Sequence, residues 1–178
     1  NAMVPMPEAL KGTRSPSPDD GSQPTVDGFD NWYDWCIAKW GTKWDIGNEG
    51  LEFEDTEDGY ATISGWFESA WAPPIEAYNT YMENNEQIEI YATYEEGGMD
   101  FAGIYDNGDD DYMEGLSEAC ERIVRGKETL EEQTELFQRL EDELDLIENR
   151  RDYIEEEMEQ ERRDEKNGLY AQHEDVAN

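Results

Sequence analysis

Basic residues are scarce in this chain. Lysine and arginine together number 13 in 178 residues, against 47 aspartates and glutamates, for a formal net charge of -34. From Trp44 to Glu121 there is no lysine or arginine at all, while the same span carries about twenty acids. A surface so short of positive charge repels phosphate backbones and anionic lipid headgroups, which argues against direct nucleic-acid binding and against attachment to a membrane surface. It favours basic partners, cations, or sites on other proteins built to hold nucleic acid. The plainer reading is a self-repelling surface that keeps the protein in solution.

Other absences narrow the chemistry. The only histidine, His173, lies near the C-terminus, where it cannot serve a histidine-dependent triad in a core. The two cysteines, Cys36 and Cys120, are far apart and lack CxxC partners, so a structural zinc site is not expected; reduced thiols in a cytoplasmic protein are. No apolar run is long enough to span a bilayer, and no signal-peptide pattern is present. "NAMVPM" reads either as a tag remnant before Met3 or as the start of a fragment of a longer chain.

Composition divides the chain into four regions. Residues 1–29 are rich in Pro, Ser, Gly and Asp and read as irregular, with "PMPEALKG" as a short anchored turn. Residues 30–114 read as a globular α+β domain. Asp30 or Asn31 can cap a helix that Gly41 ends near Trp40. "TKWDI", "LEFED", "YATISGWF", "QIEIYATYEE" and "MDFAGIYD" read as strands, with "TEDG", "GG" and "NG" as turns, and "APPIEAYNTYMENN" reads as a helix opened by proline. This order predicts an antiparallel sheet with helices on one face. Residues 115–166 read as helical, with Gly126 as a break or bend. A seven-residue repeat places Leu130, Phe137, Leu144, Arg151 and Met158 at one seam position, and Gln133, Leu140, Ile147, Ile154 and Glu161 at the other. The expected interface of this coiled coil is Leu130, Phe137, Leu140, Leu144, Ile147, Ile154 and Met158. A helix of some forty residues would run roughly 60 Å, so its apolar stripe needs cover from a second copy of the chain or from the domain's own surface; a homodimer is the expectation. Arg151 would pair with an acid such as Glu155. Residues 167–178 read as a flexible tail.

"NWYDWCIAKWGTKWD", residues 31–45, holds four of the six tryptophans. Stacking platforms for bases normally come with many cations, and only Lys39 and Lys43 lie nearby. Indoles bury a large area at little entropic cost, so Trp32, Trp35, Trp40 and Trp44 are expected in a core, with one ring left out as a contact.

That stretch, followed in order by "SAWAPPIEAY" and "YEEGGMDFAG" and preceded by "MVPMPEALKG", resembles the YubB-type family with a ferredoxin-like domain, found in phages and plasmids. The likeness covers roughly residues 3–108. It implies a ferredoxin-like α+β fold carried by mobile genetic elements, and it brings no enzymatic activity. Family members begin with a further strand and helix bearing an Asn-Trp-Cys motif, which is absent here, so the expectation is either a chain truncated at its N-terminus relative to them or a domain completed otherwise, for example by a partner. The heptad helix is likewise outside the family pattern.

Possible chemistry is thin. "YDNGDDDYMEG" concentrates carboxylates, but counting from Asp106 puts glycine at the third position, which fails the calcium-loop frame, so a surface hairpin tip is expected. Glu95, Glu96 and Asp100 flank a Gly-Gly turn; carboxylates are so common here that such a grouping does not single out glycoside hydrolysis. No catalytic residue, cofactor or metal is expected. The leading expectation is a non-enzymatic accessory protein of a phage or plasmid that binds a basic host protein, imitating nucleic-acid charge in the manner of an anti-defence factor. Glu95, Glu96, Asp100, Asp109, Asp110 and Asp111 belong to the acidic interaction surface. The alternative is a dimeric scaffolding protein whose coiled coil is the working part.

Overall fold

Capping chemistry fixes the first helix. In the computed structural model, which describes residues 3–47, 50–55 and 59–176 with side chains through residue 167, α1 spans Trp32–Trp40. Extended Asn31 accepts the Asp34 N–H at 2.9 Å on its side-chain oxygen, and left-handed Gly41 donates its N–H to the Ile37 carbonyl at 3.1 Å. The helix buries Trp35, Cys36 and Trp40 against Leu10 and Ala77, with Val4, Met6, Val26, Phe29 and Trp32 around them. Trp35 and Trp40 meet edge to face, centroids 5.3 Å apart, and the Trp40 indole N–H donates to the Val4 carbonyl at 2.7 Å. Residues expected to be irregular therefore complete this core, although one 3-10 turn, Glu8–Leu10, is the regular helix they contain.

Strands β1 (Leu51–Asp55) and β2 (Ala61–Gly65) pair antiparallel, with Phe53 opposite Ile63 and Glu54 opposite Thr62. Most of the expected "TEDG" turn, residues 56–58, lies outside the described residues. Helix α2 (Ile75–Glu83) starts directly after the two prolines. Strands β3 (Tyr91–Glu96), β4 (Phe101–Asp106) and β5 (Asp109–Glu114) form a separate three-stranded sheet in that order. The five strands thus lie in two small antiparallel sheets of a mixed α+β protein, where a single ferredoxin-like sheet was expected.

Three local expectations are corrected. "TKWDI" is not a strand, because the buried Thr42 hydroxyl is bonded to both the N–H and the carbonyl of Ala70, which holds this segment as a loop. The strand expected from Gln87 begins only at Tyr91, since Asn85 and Ile88 are in turns bonded back to Met82 and Asn85. Asp109–Glu114, expected as a hairpin tip, is strand β5. The tip is Asn107–Gly108, where Asn107 has φ 50° and Gly108 φ 106°, as a tight hairpin turn requires.

The region expected to be helical over 115–166, with a break at Gly126 and heptads from Leu130, is four pieces: α3 (Leu116–Val124), a 3-10 turn at Leu130–Glu132, α4 (Glu135–Leu144) and α5 (Leu146–Val176). Thr134 caps α4 by accepting the Phe137 N–H at 3.2 Å. Asp145, left-handed at φ 51°, ends it. The broken path folds the seam onto its own chain: Phe137, Leu140, Ile147 and Ile154 are buried with Ala102, Ile104, Leu116, Ala119, Cys120 and Leu146, while Leu130, Leu144 and Met158 lie partly buried beside them. Arg151 pairs with Glu148 at 2.8 Å and more distantly with Glu155 at 3.9 Å.

The chain folds as two compact units. One comprises residues 1–92 and 105–110, and the other residues 93–104 and 111–178. Each has its own core and its own buried cysteine, Cys36 in the first and Cys120 in the second. Burial is the main cause that pushes both thiols up to about 11. Neither is expected to react with a thiol reagent at pH near 8 until the protein is unfolded; labelling of either cysteine in the native protein at the rate of a free thiol would contradict these cores.

Glu141 gives a pH-dependent test of the α4–α5 corner. Its carboxylate accepts the Ile147 N–H at 2.8 Å, yet burial holds its pKa above the ordinary 4.5, with Asp145 and Asp142 adding to the rise. An acid that prefers its proton in the folded state costs stability as pH rises from the unfolded value through the raised one, and the cost is constant above that. Glu141→Gln keeps an acceptor and removes the charge. Its stability relative to the parent is expected to improve between pH 4 and pH 7, read from urea midpoints; a relative loss over that interval would contradict the assignment.

Candidate functional site

Structure sorts the six acids of the expected interaction surface into two groups. Glu95, on β3, is ion-paired to Arg150 of α5. Glu96 accepts the Gly98 N–H at 3.0 Å inside the Gly-Gly turn. Asp100 is left-handed at φ 58° and receives the Ser117 N–H at 2.9 Å and the Ser117 hydroxyl at 2.6 Å, so it organises the first turn of α3. These three serve folding. Asp109, Asp110 and Asp111 are all exposed on β5, an outer strand of its sheet. Charge on an outer strand discourages edge pairing with other sheets. Strand alternation puts Asp109 and Asp111 on one face and Asp110 on the other, so the two carboxylates that share a face stand roughly 6.7 Å apart along the strand.

Arg122 and Arg125 of the second unit are engaged with its acids. Arg122 pairs with Glu118 at 2.7 Å and Glu128 at 3.0 Å, and Arg125 with Glu121 and Glu161, both at 2.7 Å. The Arg125 contact holds the Glu161 carboxyl below its ordinary range. None of these cations comes from the span between Trp44 and Glu121.

The first unit carries exposed aromatic and aliphatic side chains. Trp32 is half-buried against the core, but Trp44 is 51% exposed. The ring left out of the tryptophan stretch is therefore Trp44. Sequence reasoning missed its neighbour. Trp71 is 56% exposed, its centroid lies 6.4 Å from that of Trp44, and the rings are inclined at 49°. The Lys43 ammonium stands 5.0 Å from the Trp44 centroid and 4.7 Å from that of Trp71, both within cation–π range. On the β1–β2 ribbon, strand alternation puts Leu51, Phe53, Ala61 and Ile63 on one face and Glu52, Glu54, Thr62 and Ser64 on the other. Phe53 and Ile63 are each about two-thirds exposed, at 68% and 67%.

Among the described residues no group of three or more His, Cys, Asp or Glu is arranged to hold a metal ion, and no helix is long and apolar enough to cross a membrane. An open groove of about 270 Å³ lies between α3 and α5, lined by Val124, Glu155, Met158, Glu159 and Arg162. No family model, curated protein or solved structure matches the chain.

Proposed function

We propose that this is a non-enzymatic, acidic binding protein whose partner is a basic protein surface of the kind that otherwise holds nucleic acid. The observation that carries the reading is the absence of any lysine or arginine from Trp44 to Glu121, in a span that sets three successive aspartates on the extended strand β5. A surface of one sign speeds encounter with the opposite sign, and its carboxylates can pair with the cations of a groove that otherwise holds phosphates. The resemblance of residues 3–108 to the YubB-type family of phages and plasmids agrees with an accessory role against a host protein.

The test uses the intact chain with a panel of purified DNA-binding proteins. The chain is expected to form complexes at about 50 mM salt that dissociate by about 200 mM, because each charge contact adds to the salt dependence. Complexes that persist at high salt, or none at low salt with any member of the panel, would overturn the reading.

A second reading, scaffolding through self-association, draws its support from the 31-residue length of α5. Phe137, Leu140, Ile147 and Ile154 are already buried within one chain, so a dimer would have to rely mainly on the helix beyond that point. Light scattering decides between them: a monomer mass at all concentrations removes the dimer.

A further inference from the structure

We infer that Trp44 and Trp71 form a receptor for a single arginine side chain of a basic partner, and that Lys43 is a placeholder occupying it in the free protein. This inference rests on the acidic-binding reading above and names the contact within it.

Trp71 carries the first argument. Its φ of 66° is a left-handed conformation that bulky side chains rarely adopt. The chain on either side holds it there. Ala70 donates its N–H to the Thr42 hydroxyl at 3.0 Å, and that hydroxyl donates to the Ala70 carbonyl at 3.1 Å. Ser69 donates its hydroxyl to the Ala72 carbonyl at 2.8 Å. Gly41 lies so close to the following turn that a Cβ there would meet the Pro73 carbonyl oxygen at 3.3 Å. A strained backbone persists only where the surrounding structure holds it, and this indole remains more than half exposed. The strain therefore yields little burial, and its result is that one exposed indole faces another.

The second argument is the occupant already present. An ammonium lies about 5 Å from both indole centroids, so the gap between the rings accepts a cation. Between lysine and arginine the chemistry favours arginine. A guanidinium is planar, stacks on aromatic faces and gives up its hydration more readily, whereas the compact Lys43 ammonium, on a flexible stem, regains strong hydration when it swings out. The third argument is the local sequence: Asp45 follows Trp44 directly, Glu68 lies three residues before Trp71, and after Lys43 the next cation in the chain is Arg122.

The experiment titrates the intact protein with arginine and lysine octapeptides at low salt, following tryptophan fluorescence. The arginine peptide is expected to bind about three- to fivefold tighter than the lysine peptide, the ratio of one good cation–π contact. Trp44→Ala and Trp71→Gly should each make the two peptides bind alike. Glycine adopts the left-handed backbone without strain, so Trp71→Gly should keep the parent's circular dichroism and melting temperature. Lys43→Ala should tighten the arginine peptide more than Lys39→Ala, which removes the same charge from the exposed face of α1. Retention of arginine preference in both tryptophan variants, or equal effects of the two lysine variants, would overturn the receptor while leaving the acidic-surface reading in place. Failure of both peptides to bind the parent would overturn that reading and the receptor with it.

Discussion

Phe137→Ala is expected to destabilise the protein by about 3–5 kcal/mol without changing its oligomeric state. Phe137 is fully buried, enclosed by residues of its own chain from β4, α3, α4 and α5. Replacing a buried phenylalanine by alanine loses the transfer free energy of the ring and leaves a cavity that the neighbours fill only in part. If the heptad residues instead formed an interface between chains, the same substitution would shift a monomer–dimer equilibrium, and the unfolding midpoint would depend on protein concentration. Urea unfolding at two concentrations separates these outcomes. The packing here predicts a large drop in midpoint that is the same at both, and a concentration-dependent midpoint would contradict it. Leu140→Ala, at an equally enclosed position, should behave alike at about 2–5 kcal/mol.

That contrast shows how far the sequence can be read. Periodicity identifies which side of the C-terminal helical region is buried, and Phe137, Leu140, Ile147 and Ile154 are all in a core. It carries no information on what covers them. The break that decides the matter is at Asp145, a left-handed helix end without the glycine that usually marks one, so nothing in the residue types interrupts the repeat there. Where the local chemistry is self-sufficient, residue types are enough. The Asn31 cap and the Gly41 stop delimit α1, and Asn107–Gly108 closes the β4–β5 hairpin.

Strand β5 illustrates the opposite case. Three aspartates have low strand propensity, and their extension is imposed by the hairpin turn and by pairing with the apolar, buried strand β4. Within the candidate surface, the carboxylates and Trp44 are visible in the sequence. The structural duties of Glu95 and Asp100 depend on Arg150 and Ser117, 55 and 17 residues away, and no local pattern announces them. Trp71 is hidden for a different reason: a left-handed tryptophan has no sequence signal, because it is held by the Thr42–Ala70 bonds, which connect segments 28 residues apart.

The second large effect concerns charge. Replacing Asp109, Asp110 and Asp111 together by asparagine is expected to weaken binding to a basic partner about tenfold or more at low salt. The slope of log affinity against log salt should fall by up to about three, one for each carboxylate neutralised. The side chains are nearly the same size and the three positions are exposed, so the melting temperature should hold or rise as like charges are removed. An unchanged salt slope in the triple variant would place the binding surface elsewhere among the acids.

The most direct measurement is a displacement titration. A labelled DNA duplex is bound to a DNA-binding protein drawn from those that the intact chain captures, and the acidic chain is added while fluorescence anisotropy is followed. Competition for one basic groove predicts that the duplex is released completely, with an apparent affinity that weakens in proportion to added unlabelled duplex. A ternary complex, in which the chain binds while the duplex stays in place, would contradict the account.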